Sequence, residues 1–393
     1  MVPISQAEWV HRKDIAALVA ALGADECRYV GGCVRDALMG HEAHDVDIAT
    51  RHHPDRVVAI LKDAGIRTVP TGLEHGTVTA VLDGGPVEIT TLRCDVETDG
   101  RRATVRFASE WKDDAARRDF TINALYLHPT TLDISDYFGG LDDLDDRRVR
   151  FIGDARQRIA EDHLRILRYF RFHARFGSEP PDAEAIAACR ELAATLKGLS
   201  RERVGWELQN LLALPDPAPT VARMADLGVL KVVLPEAGAV QIDRLARLIS
   251  AEREGRIAPD PIRRLAALLP PDPALAEQVA SRLRLSNAQK KRIKLATMRN
   301  DADAVNPRGL AYREGLEVAR DRLLLLGEPV NTIANWELPA LPIKGGDIVA
   351  AGVGAGPDVA KVLRAVETRW IANGFPDEAQ TRAFMAEEIA NLG

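Results

Sequence analysis

The sequence predicts an α+β protein, with a small N-terminal head built from a mixed β-sheet and flanking helices and a long all-helical body after it. Three observations carry this prediction. Short β-rich segments alternate with helical ones up to about residue 150. After that point leucine, alanine and arginine recur at helical spacing almost to the end. Proline-rich breaks such as LPDPAP and LPPDP separate one helix from the next.

Length and composition set the outer limits. At 393 residues the chain is long for one domain, and we expect three, over residues 1–150, 151–235 and 236–393. Hydrophobic residues make up 46 % of the chain, which is enough for packed cores. The net charge of −6 gives no support for a nucleic-acid partner, but such binding depends on where the basic residues lie.

Cysteine usage and hydropathy bear on the cellular context. Four scattered cysteines without a CxxC pair argue against a zinc site or a disulfide framework and favour a reducing, cytoplasmic location. The N-terminus lacks a basic segment followed by an apolar run, so we expect no signal peptide. No apolar stretch approaches the roughly 20 residues of a membrane span. We therefore expect no membrane partner, and no protein partner is predicted.

The head begins with a predicted helix over 6–22 and a short strand over 27–30. A glycine pair then leads into a helical turn or two over 34–40, and VDIAT at 46–50 is typical of a strand. A further helix follows Pro54, because proline is well suited to the first turn of a helix.

The second part of the head is rich in strands. GTVTAVLD and PVEITTLR flank Asp83-Gly84-Gly85, which is a strong signal for a β-hairpin. Residues 93–116 are polar and irregular, and we expect a flexible loop there. ALYLH at 124–128 and a shorter strand within LDISDY at 132–137 complete the predicted sheet.

Asp45 and Asp47 stand two residues apart on the predicted strand. Side chains at positions i and i+2 lie on one face of a strand, so both carboxylates point the same way. Two carboxylates so close repel each other unless a cation lies between them. Oxygen ligands with open positions suit Mg²⁺ shared with substrate phosphates, as in a two-metal site. A DxD pair alone, however, occurs often by chance and usually marks a solvated turn.

Gly31 and Gly32 follow a strand and precede a helix. Without Cβ atoms their backbone N–H groups can approach a phosphate closely, and the start of the helix adds positive potential. Arg35, one turn into that helix, is placed to reach the same triphosphate. A lone glycine pair is usually a tight turn, but the succession of strand, glycine pair, helix and DxD favours nucleotide binding.

GGxVRD, followed ten residues after its arginine by DxD, resembles the signature of class II tRNA nucleotidyltransferases and bacterial poly(A) polymerases of the polymerase-β nucleotidyltransferase superfamily. The resemblance implies a catalytic head in which Asp45 and Asp47 bind Mg²⁺ and Gly32 and Arg35 contact the incoming nucleotide. Glu88 lies on the predicted hairpin, where the family usually has an acidic residue. It would complete the metal site or act as general base toward the tRNA 3′ hydroxyl. The alternative is a surface glutamate on an edge strand.

RRDFTINAL at 117–125 resembles a second motif of the same family. The resemblance implies that Arg118 lies on the nucleotide and that Asp119 and Asn123 organise the loop and the ribose contacts. The residues alone leave another interpretation open, in which the two arginines pair with the two aspartates just upstream.

EDHLRILRYFR at 161–171 is predicted to be one helix, with Asp162, Arg165, Arg168 and Arg171 along a slowly winding stripe. The segment matches the family motif EDxxRxxR. The alternative is a surface charge ladder, whose i,i+3 pairs contribute roughly a few tenths of a kcal/mol each. Three arginines against two acids make such a ladder over-charged, which hints at a missing anionic partner.

The motif suggests how bases are chosen. A carboxylate at Asp162 accepts a hydrogen bond from cytosine N4 or adenine N6, whereas uracil and guanine present an oxygen there. Arg165 donates to ring acceptors that cytosine and adenine share, so this pair can select CTP and ATP without a template. Arg168 and Arg171 would face the phosphates or reinforce the pair.

Two later segments extend the resemblance into the helices. SRERVGWEL at 200–208 resembles the next helical motif of the family, and we assign it mainly a scaffold role in a neck that selects nucleotides and binds RNA. RLRLSNAQKKRIKLA at 282–296 is the most basic part of the helical body and would lie along the tRNA backbone. A solvated helix face is an equally good interpretation of that segment.

These features predict template-independent addition of C, C and A to the 3′ end of tRNA from CTP and ATP, with release of pyrophosphate and Mg²⁺ as cofactor. The nearest alternative is a poly(A) polymerase, which typically has an arginine-rich RRF-type stretch leading into the first hairpin strand. Here PTGLEHGTVTAVLD at 70–83 resembles the CCA-adding pattern instead.

Two further alternatives remain, an enzyme that adds only CC or only A and an inactive RNA-binding scaffold. The intact Asp45, Asp47, Arg35 and Asp162 argue against the scaffold, which needs no metal ligands. The helical body shows no HD-type phosphohydrolase motif, so we expect no second activity.

Overall fold

The computed structural model describes residues 1–43, 45–72, 76–98 and 103–392. The chain divides into two compact units. The first consists of Met1–Leu211 with Pro219–Val233, and the second of Leu212–Ala218 with Leu234–Gly393. The three domain ranges given by the sequence stay predictions.

The strands of the described residues all lie in the first unit. They are β1 (Cys27–Val30), β2 (Val46–Thr50), β3 (Arg67–Gly72), β4 (Thr77–Leu82), β5 (Gly85–Thr91), β6 (Arg93–Thr98), β7 (Ala103–Phe107), β8 (Leu125–Leu127) and β9 (Ile134–Asp136). Seven of them form one sheet in the order β3-β4-β5-β2-β1-β8-β9, and β6 and β7 form a separate ribbon. Because β2 and β5 run parallel and the other neighbours antiparallel, the sheet is mixed, as predicted.

Helices flank this sheet and continue beyond it. Those that lie in, or overlap, the first unit are α1 (Lys13–Leu22), α2 (Gly32–Leu38), α3 (Pro54–Asp63), α4 (Trp111–Ala116), α5 (Gly140–Asp145), α6 (Ala155–Glu161), α7 (Arg165–Phe176), α8 (Ala183–Glu191), α9 (Arg201–Leu212), α10 (Ala218–Asp226) and α11 (Val229–Val233). Val30, Ala49, Trp111 and Tyr126 belong to a buried cluster that packs strands against α4. This core includes Val30, at the end of β1 that leads into the glycine pair.

The second unit is helical throughout the part that the structure describes. Its helices are α12 (Ala239–Glu254), α13 (Pro261–Ala267), α14 (Pro273–Arg282), α15 (Asn287–Thr297), α16 (Ala302–Val305), α17 (Pro307–Glu314), α18 (Leu316–Leu326), α19 (Gly345–Ala350), α20 (Pro357–Ala372) and α21 (Glu378–Ala390). Buried apolar residues such as Leu323, Ile348 and Val366 form its cores. In residues 1–43, 45–72, 76–98 and 103–392, we find no helix with the length and apolar character to cross a bilayer.

Three local predictions were wrong. The helix expected over 6–22 begins only at Lys13, after a short 3₁₀ helix over Glu8–His11. Within 93–116 the sequence indicated a loop, but β6, β7 and α4 lie there. β6 and β7 pair with each other as a two-stranded ribbon, which needs no continuous apolar face, so the polar composition of the segment hid it. The helix expected over 161–171 begins only at Arg165, because α6 ends at Glu161 and Asp162 adopts an extended backbone.

Candidate active site

Two carboxylates meet on adjacent strands of the sheet. β2 and β5 are parallel, and their register places Asp47 directly opposite Glu88. Alternation along β2 buries Val46 and Ile48 and leaves Asp47 half-buried on the other face. Asp45 immediately precedes β2 and is exposed. The structure thus brings Asp47 and Glu88 together, with Asp45 two residues from Asp47 along the chain.

The charges are crowded where Asp47 and Glu88 lie side by side. We call this side of the sheet, together with the glycine turn that follows β1, the sheet edge. Partial burial and the neighbouring charges of Glu88 and Asp45 raise the pKa of Asp47 to about 6, and the nearby Arg118 opposes this rise. A carboxyl group whose ionised form is so disfavoured gains from a cation that compensates the shared negative charge.

The donor set fits a divalent cation held jointly with a substrate. Carboxylate oxygens are the ligands that Mg²⁺ prefers, and Mg²⁺ commonly takes one or two protein carboxylates plus phosphate oxygens. Within residues 1–43, 45–72, 76–98 and 103–392, no three potential ligands among His, Cys, Asp and Glu converge closely enough to hold a metal alone. Metal binding by Asp45 and Asp47, with Glu88 beside them, stays a prediction.

The glycine turn lies at the same edge, because β1 and β2 are antiparallel with Tyr29 opposite Ile48. Gly31 has φ +74° and ψ −124°, a conformation that residues with a Cβ atom rarely adopt. A Cβ built on Gly31 would lie 3.3 Å from Nη1 of Arg118. Glycine is thus needed here for the backbone turn and for the close approach of a guanidinium. Gly32 then begins α2.

Arg118 is held by side chains behind it. Its Nε donates to the Tyr126 hydroxyl at 3.0 Å and its Nη2 to Asp114 at 3.2 Å. Asp114, which is buried, also pairs with Arg117 at 2.7 Å. The pairing of both arginines with an upstream aspartate, the alternative given by the residues alone, is therefore present. It holds Arg118 beside Gly31, and the charge of Arg118 also acts on Asp47.

Arg35, Asn123, Asp119 and Arg168 form a continuous run of hydrogen bonds. Arg35 Nη1 donates to Asn123 Oδ1 at 2.5 Å, and Asn123 Nδ2 donates to Asp119 Oδ1 at 2.9 Å. Arg168 Nε donates to Asp119 Oδ2 at 2.7 Å. These bonds and the Arg168 cation keep the pKa of Asp119 well below its usual range despite burial.

The run continues into α9. Glu207, which is only 1 % exposed, lies 3.6 Å from Arg168 and accepts from Arg171 Nε at 2.6 Å. We call the whole series the arginine–carboxylate chain, and its members in order are Arg35, Asn123, Asp119, Arg168, Glu207 and Arg171. Its members come from four predicted motifs, GGxVRD, RRDFTINAL, EDHLRILRYFR and SRERVGWEL. Asp119 and Glu207, which pair with Arg168 and Arg171, come from segments distant in sequence. The arginines that outnumber the acids within residues 161–171 therefore have carboxylate partners elsewhere in the protein.

Arg35 itself is buried. Its guanidinium also pairs with Asp36 at 2.7 Å and stacks over Phe176, with 4.1 Å from Cζ to the ring centroid. Burial lowers the pKa of Arg35, and the Asp36 carboxylate opposes this effect. The structure shows Arg35 ordering the segment behind the glycine turn, and its contact with a nucleotide stays a prediction.

Asp162 and Arg165 have separate partners. Asp162 Oδ1 accepts from the backbone N–H of Leu164 at 3.1 Å, and its Oδ2 accepts from Arg203 at 2.7 Å. Arg165 pairs with Glu161 at 2.6 Å and donates to the Arg117 carbonyl at 3.0 Å. Their roles in base selection stay predictions.

Sequence reasoning named no role for Glu161, Arg203 or Glu207. Arg203 and Glu207 lie four residues apart on α9, within the segment assigned a scaffold role. That i,i+4 spacing puts them on one helix face. It is the sequence feature from which a joint role of the two residues could have been predicted.

Comparison with known proteins shows the family of this chain. A family model described as the poly A polymerase head domain matches residues 27–150, and one described as a probable RNA and SrmB-binding site of polymerase A matches residues 181–240. The human mitochondrial CCA tRNA nucleotidyltransferase 1 is 34 % identical over 377 residues, which cover 90 % of this chain and 84 % of that protein. The chain belongs to the CCA-adding and poly(A) polymerase family.

Other members of this family match parts or the whole of the chain. A CCA-adding enzyme of Streptococcus pyogenes is 44 % identical over 192 residues, 48 % of this chain and 46 % of that enzyme. The crystal structure of the Bacillus stearothermophilus CCA-adding enzyme in complex with CTP superposes with a TM-score of 0.76 at 26 % identity, covering 100 % of this chain and 99 % of that one. The α+β fold with its helical extension is therefore the family fold.

Proposed function

We propose that this chain is a CCA tRNA nucleotidyltransferase, which adds C, C and A to the 3′ end of tRNA from CTP and ATP and releases pyrophosphate. The relationship to the human enzyme over nearly the whole chain is the observation that carries this conclusion. The sheet edge supplies the chemical support, because Asp47 lies in register with Glu88 beside the glycine turn. An inactive RNA-binding scaffold has no use for such a crowded carboxylate pair.

Asp45 and Asp47 are the proposed ligands of a divalent cation, which we propose to be Mg²⁺. When bound, the cation would neutralise charge on the triphosphate and lower the pKa of the attacking hydroxyl. The raised pKa of Asp47 supports this assignment, since the shared negative charge is not fully balanced by protein groups. Glu88 is proposed to hold the same ion or to accept the proton of the tRNA 3′ hydroxyl.

The glycine turn and Arg118 are the proposed triphosphate contacts. Arg118 keeps its position through Asp114 and Tyr126, so little conformational entropy remains to be lost when it meets a phosphate. The turn at Gly31 and Gly32 carries no side chain that would block that approach. Asp119 and Asn123 are proposed to act behind this surface, through the arginine–carboxylate chain.

Base choice is proposed to depend on Asp162 and Arg165. Asp162 is held at both oxygens, by Leu164 N–H and by Arg203, and each carboxylate oxygen keeps a second lone pair for an amino group of cytosine or adenine. Arg203 is therefore a positioning residue in this proposal. Arg168 and Arg171 are proposed to hold the selecting helix in place through Asp119 and Glu207.

The proposed RNA partner is tRNA, and solved relatives include a Thermotoga maritima CCA-adding enzyme complexed with tRNA. The four cysteines are free thiols, which supports a proposed cytoplasmic location. In the basic segment 282–296, Arg282, Arg292 and Lys294 pair with carboxylates. The basic side chains of this segment outside these ion pairs are therefore the ones proposed to contact RNA.

The deciding experiment incubates the enzyme with tRNA lacking its 3′ end, plus Mg²⁺ and CTP, ATP or both, and resolves the products at single nucleotides. We expect two additions with CTP alone and three with both nucleotides. Extension by many adenosines would identify a poly(A) polymerase, and a product that stops at CC with both nucleotides would identify a partial enzyme. No extension under any condition would refute the proposed function.

Residues 73–75, part of the segment that favoured CCA addition over poly(A) synthesis, lie outside the described residues.

A further inference from the structure

Three arginines of the second unit converge on one small cavity. Arg244 and Arg247 lie three residues apart on α12, and Arg299 follows the end of α15. All three line a cavity of about 270 Å³. None of them belongs to a motif that the proposed function uses.

Arg299 is the most constrained of the three. Only 7 % of it is exposed, and its Nη1 is buried without a hydrogen-bond partner. Its Nη2 donates to the Leu269 carbonyl at 3.0 Å, and Arg244 Nη1 approaches the same carbonyl at 3.4 Å. One neutral oxygen therefore serves two guanidinium groups.

The positive charge of this cavity is not balanced by the protein. Among the residues that the structure describes, no carboxylate lies within 4 Å of Arg244, Arg247 or Arg299 to form an ion pair. Burial and the charge of Arg244 lower the pKa of Arg299 to about 10, and burial and the charge of Arg247 lower the pKa of Arg244. Arg244 thus lies between two cations that both repel it.

Nearby acids do not relieve this repulsion. Asp301 lines the same cavity but forms no ion pair with the arginines, and it is exposed to solvent. Asp303, on α16, is committed to Arg322 at 2.6 Å. Elsewhere in this chain buried guanidinium groups are matched, as when Glu252 accepts from both Arg263 and Arg264. A buried, unmatched guanidinium is costly unless a ligand supplies the acceptor.

We propose that the cavity lined by Arg244, Arg247 and Arg299 binds a phosphate group. Guanidinium groups match phosphate oxygens in geometry and charge, and Arg299, one of the lining residues, has an Nη1 that lacks a hydrogen-bond partner. The phosphate has two possible sources, the backbone of the RNA substrate or free inorganic phosphate. The first source rests on the proposed function, and the second does not.

The test compares wild-type protein with the double variant Arg244→Gln/Arg247→Gln and with the control Arg253→Gln. Arg253 lies on the same helix on a different face, where it is 67 % exposed and pairs with Asp216. Thermal unfolding is measured in sodium phosphate and in sodium chloride of equal ionic strength. We expect phosphate to raise the Tm of wild type and control by more than that of the double variant, and any phosphate bound at the sheet edge contributes equally to all three.

In chloride alone, removal of two repelling cations should leave the Tm of the double variant equal to or above that of wild type. If the double variant fails to fold, the single variant Arg247→Gln replaces it, because this side chain is exposed on the helix.

A second measurement identifies the source of the phosphate. The affinity for tRNA lacking its 3′ end is followed by fluorescence anisotropy against salt concentration. Loss of one RNA phosphate contact should weaken binding about tenfold and reduce the salt slope by about one. In nucleotide addition the KM for tRNA should rise with kcat unchanged.

A lost phosphate effect on Tm with weaker tRNA binding assigns the cavity to an RNA phosphate. A lost effect with unchanged tRNA binding assigns it to free phosphate. If the double variant behaves as the wild type does in both measurements, the cavity is no phosphate site. Failure of wild-type protein to extend tRNA would overturn the proposed function, while the Tm comparison would still decide for or against the cavity.

Discussion

At the sheet edge, Asp47 faces Glu88 across two parallel strands, with Asp45 two residues away and Arg118 as the opposing charge. In the arginine–carboxylate chain, by contrast, Asp119 and Glu207 each sit between cationic or amide donors and are buried with their charges matched. The first region has negative charge that its own neighbours do not balance. In the second, both carboxylates are paired with arginines, and the third arginine, Arg35, pairs with Asp36. Unmatched charge therefore marks the proposed chemistry, and matched charge marks the frame that holds it.

The largest expected effect separates these two regions by activity. Asp47→Asn keeps the size of the side chain but removes a proposed metal ligand. We expect nucleotide addition to fall roughly a thousandfold or more, with thermal stability unchanged or higher because like-charge crowding is relieved. Asp83→Asn, at the exposed β4–β5 turn, is the control and should keep full activity. Near-normal turnover of Asp47→Asn would remove the carboxylate site from the proposal.

The opposite result is expected in the arginine–carboxylate chain. Glu207→Ala leaves Arg168 and Arg171 without their buried acceptor, and we expect the free energy of unfolding to fall by about 3 kcal/mol. Urea denaturation measures this change. Glu202→Ala, on the exposed face of the same helix, should change stability by less than about 0.5 kcal/mol. Equal effects of the two substitutions would show that the chain is not a structural frame.

A smaller effect is expected where the frame meets the proposed base-selecting residue. Asp162→Ala should raise misincorporation of UTP and GTP about 5- to 150-fold, since one discriminating contact contributes about 1–3 kcal/mol. Arg203→Ala should have the same effect more weakly, because the partly exposed pair contributes about 1 kcal/mol or less. Competition assays that measure kcat/KM for each nucleotide test both. Full preference for CTP and ATP in Asp162→Ala would contradict the assignment.

The smallest expected effect concerns the glycine turn. Gly31→Ala should cost about 1–2 kcal/mol of stability through backbone strain and should also reduce activity, because its methyl group would press on Arg118. Gly65→Ala is a control at another glycine of positive φ, +72° against +74° at Gly31, with open space around the added methyl group. Both variants should unfold earlier in thermal melts. If both also kept normal activity, the approach of Arg118 to the turn would have no role in catalysis.

Sequence reasoning succeeded where local spacing determines geometry. The glycine pair before a helix needs only the short-range rules of strands and turns. Asp45 lies just before β2 and not within it, so the face that it was expected to share with Asp47 stays a prediction. The hairpin that carries Glu88 had a strong turn signal at Asp83-Gly84-Gly85, and β4 and β5 pair as predicted around it.

It failed where geometry depends on distant residues. Arg168 and Asp119 are 49 residues apart, and Arg171 and Glu207 are 36 apart, so no local pattern indicates these pairs. The break before Arg165 also lacks glycine or proline. There the Asp162 side chain accepts from the Leu164 N–H, and such local bonds compete with helical ones.

Asn123 joins two unlike neighbours in the arginine–carboxylate chain, because its amide oxygen accepts from Arg35 while its amide nitrogen donates to Asp119. An aspartate or leucine of similar size could not serve both neighbours. A replacement at position 123 that cannot both donate and accept would therefore leave Arg35 or Asp119 without this hydrogen bond. A segment grafted in place of RRDFTINAL would have to keep an amide side chain there, so that the glycine-turn helix and α7 stay joined through it.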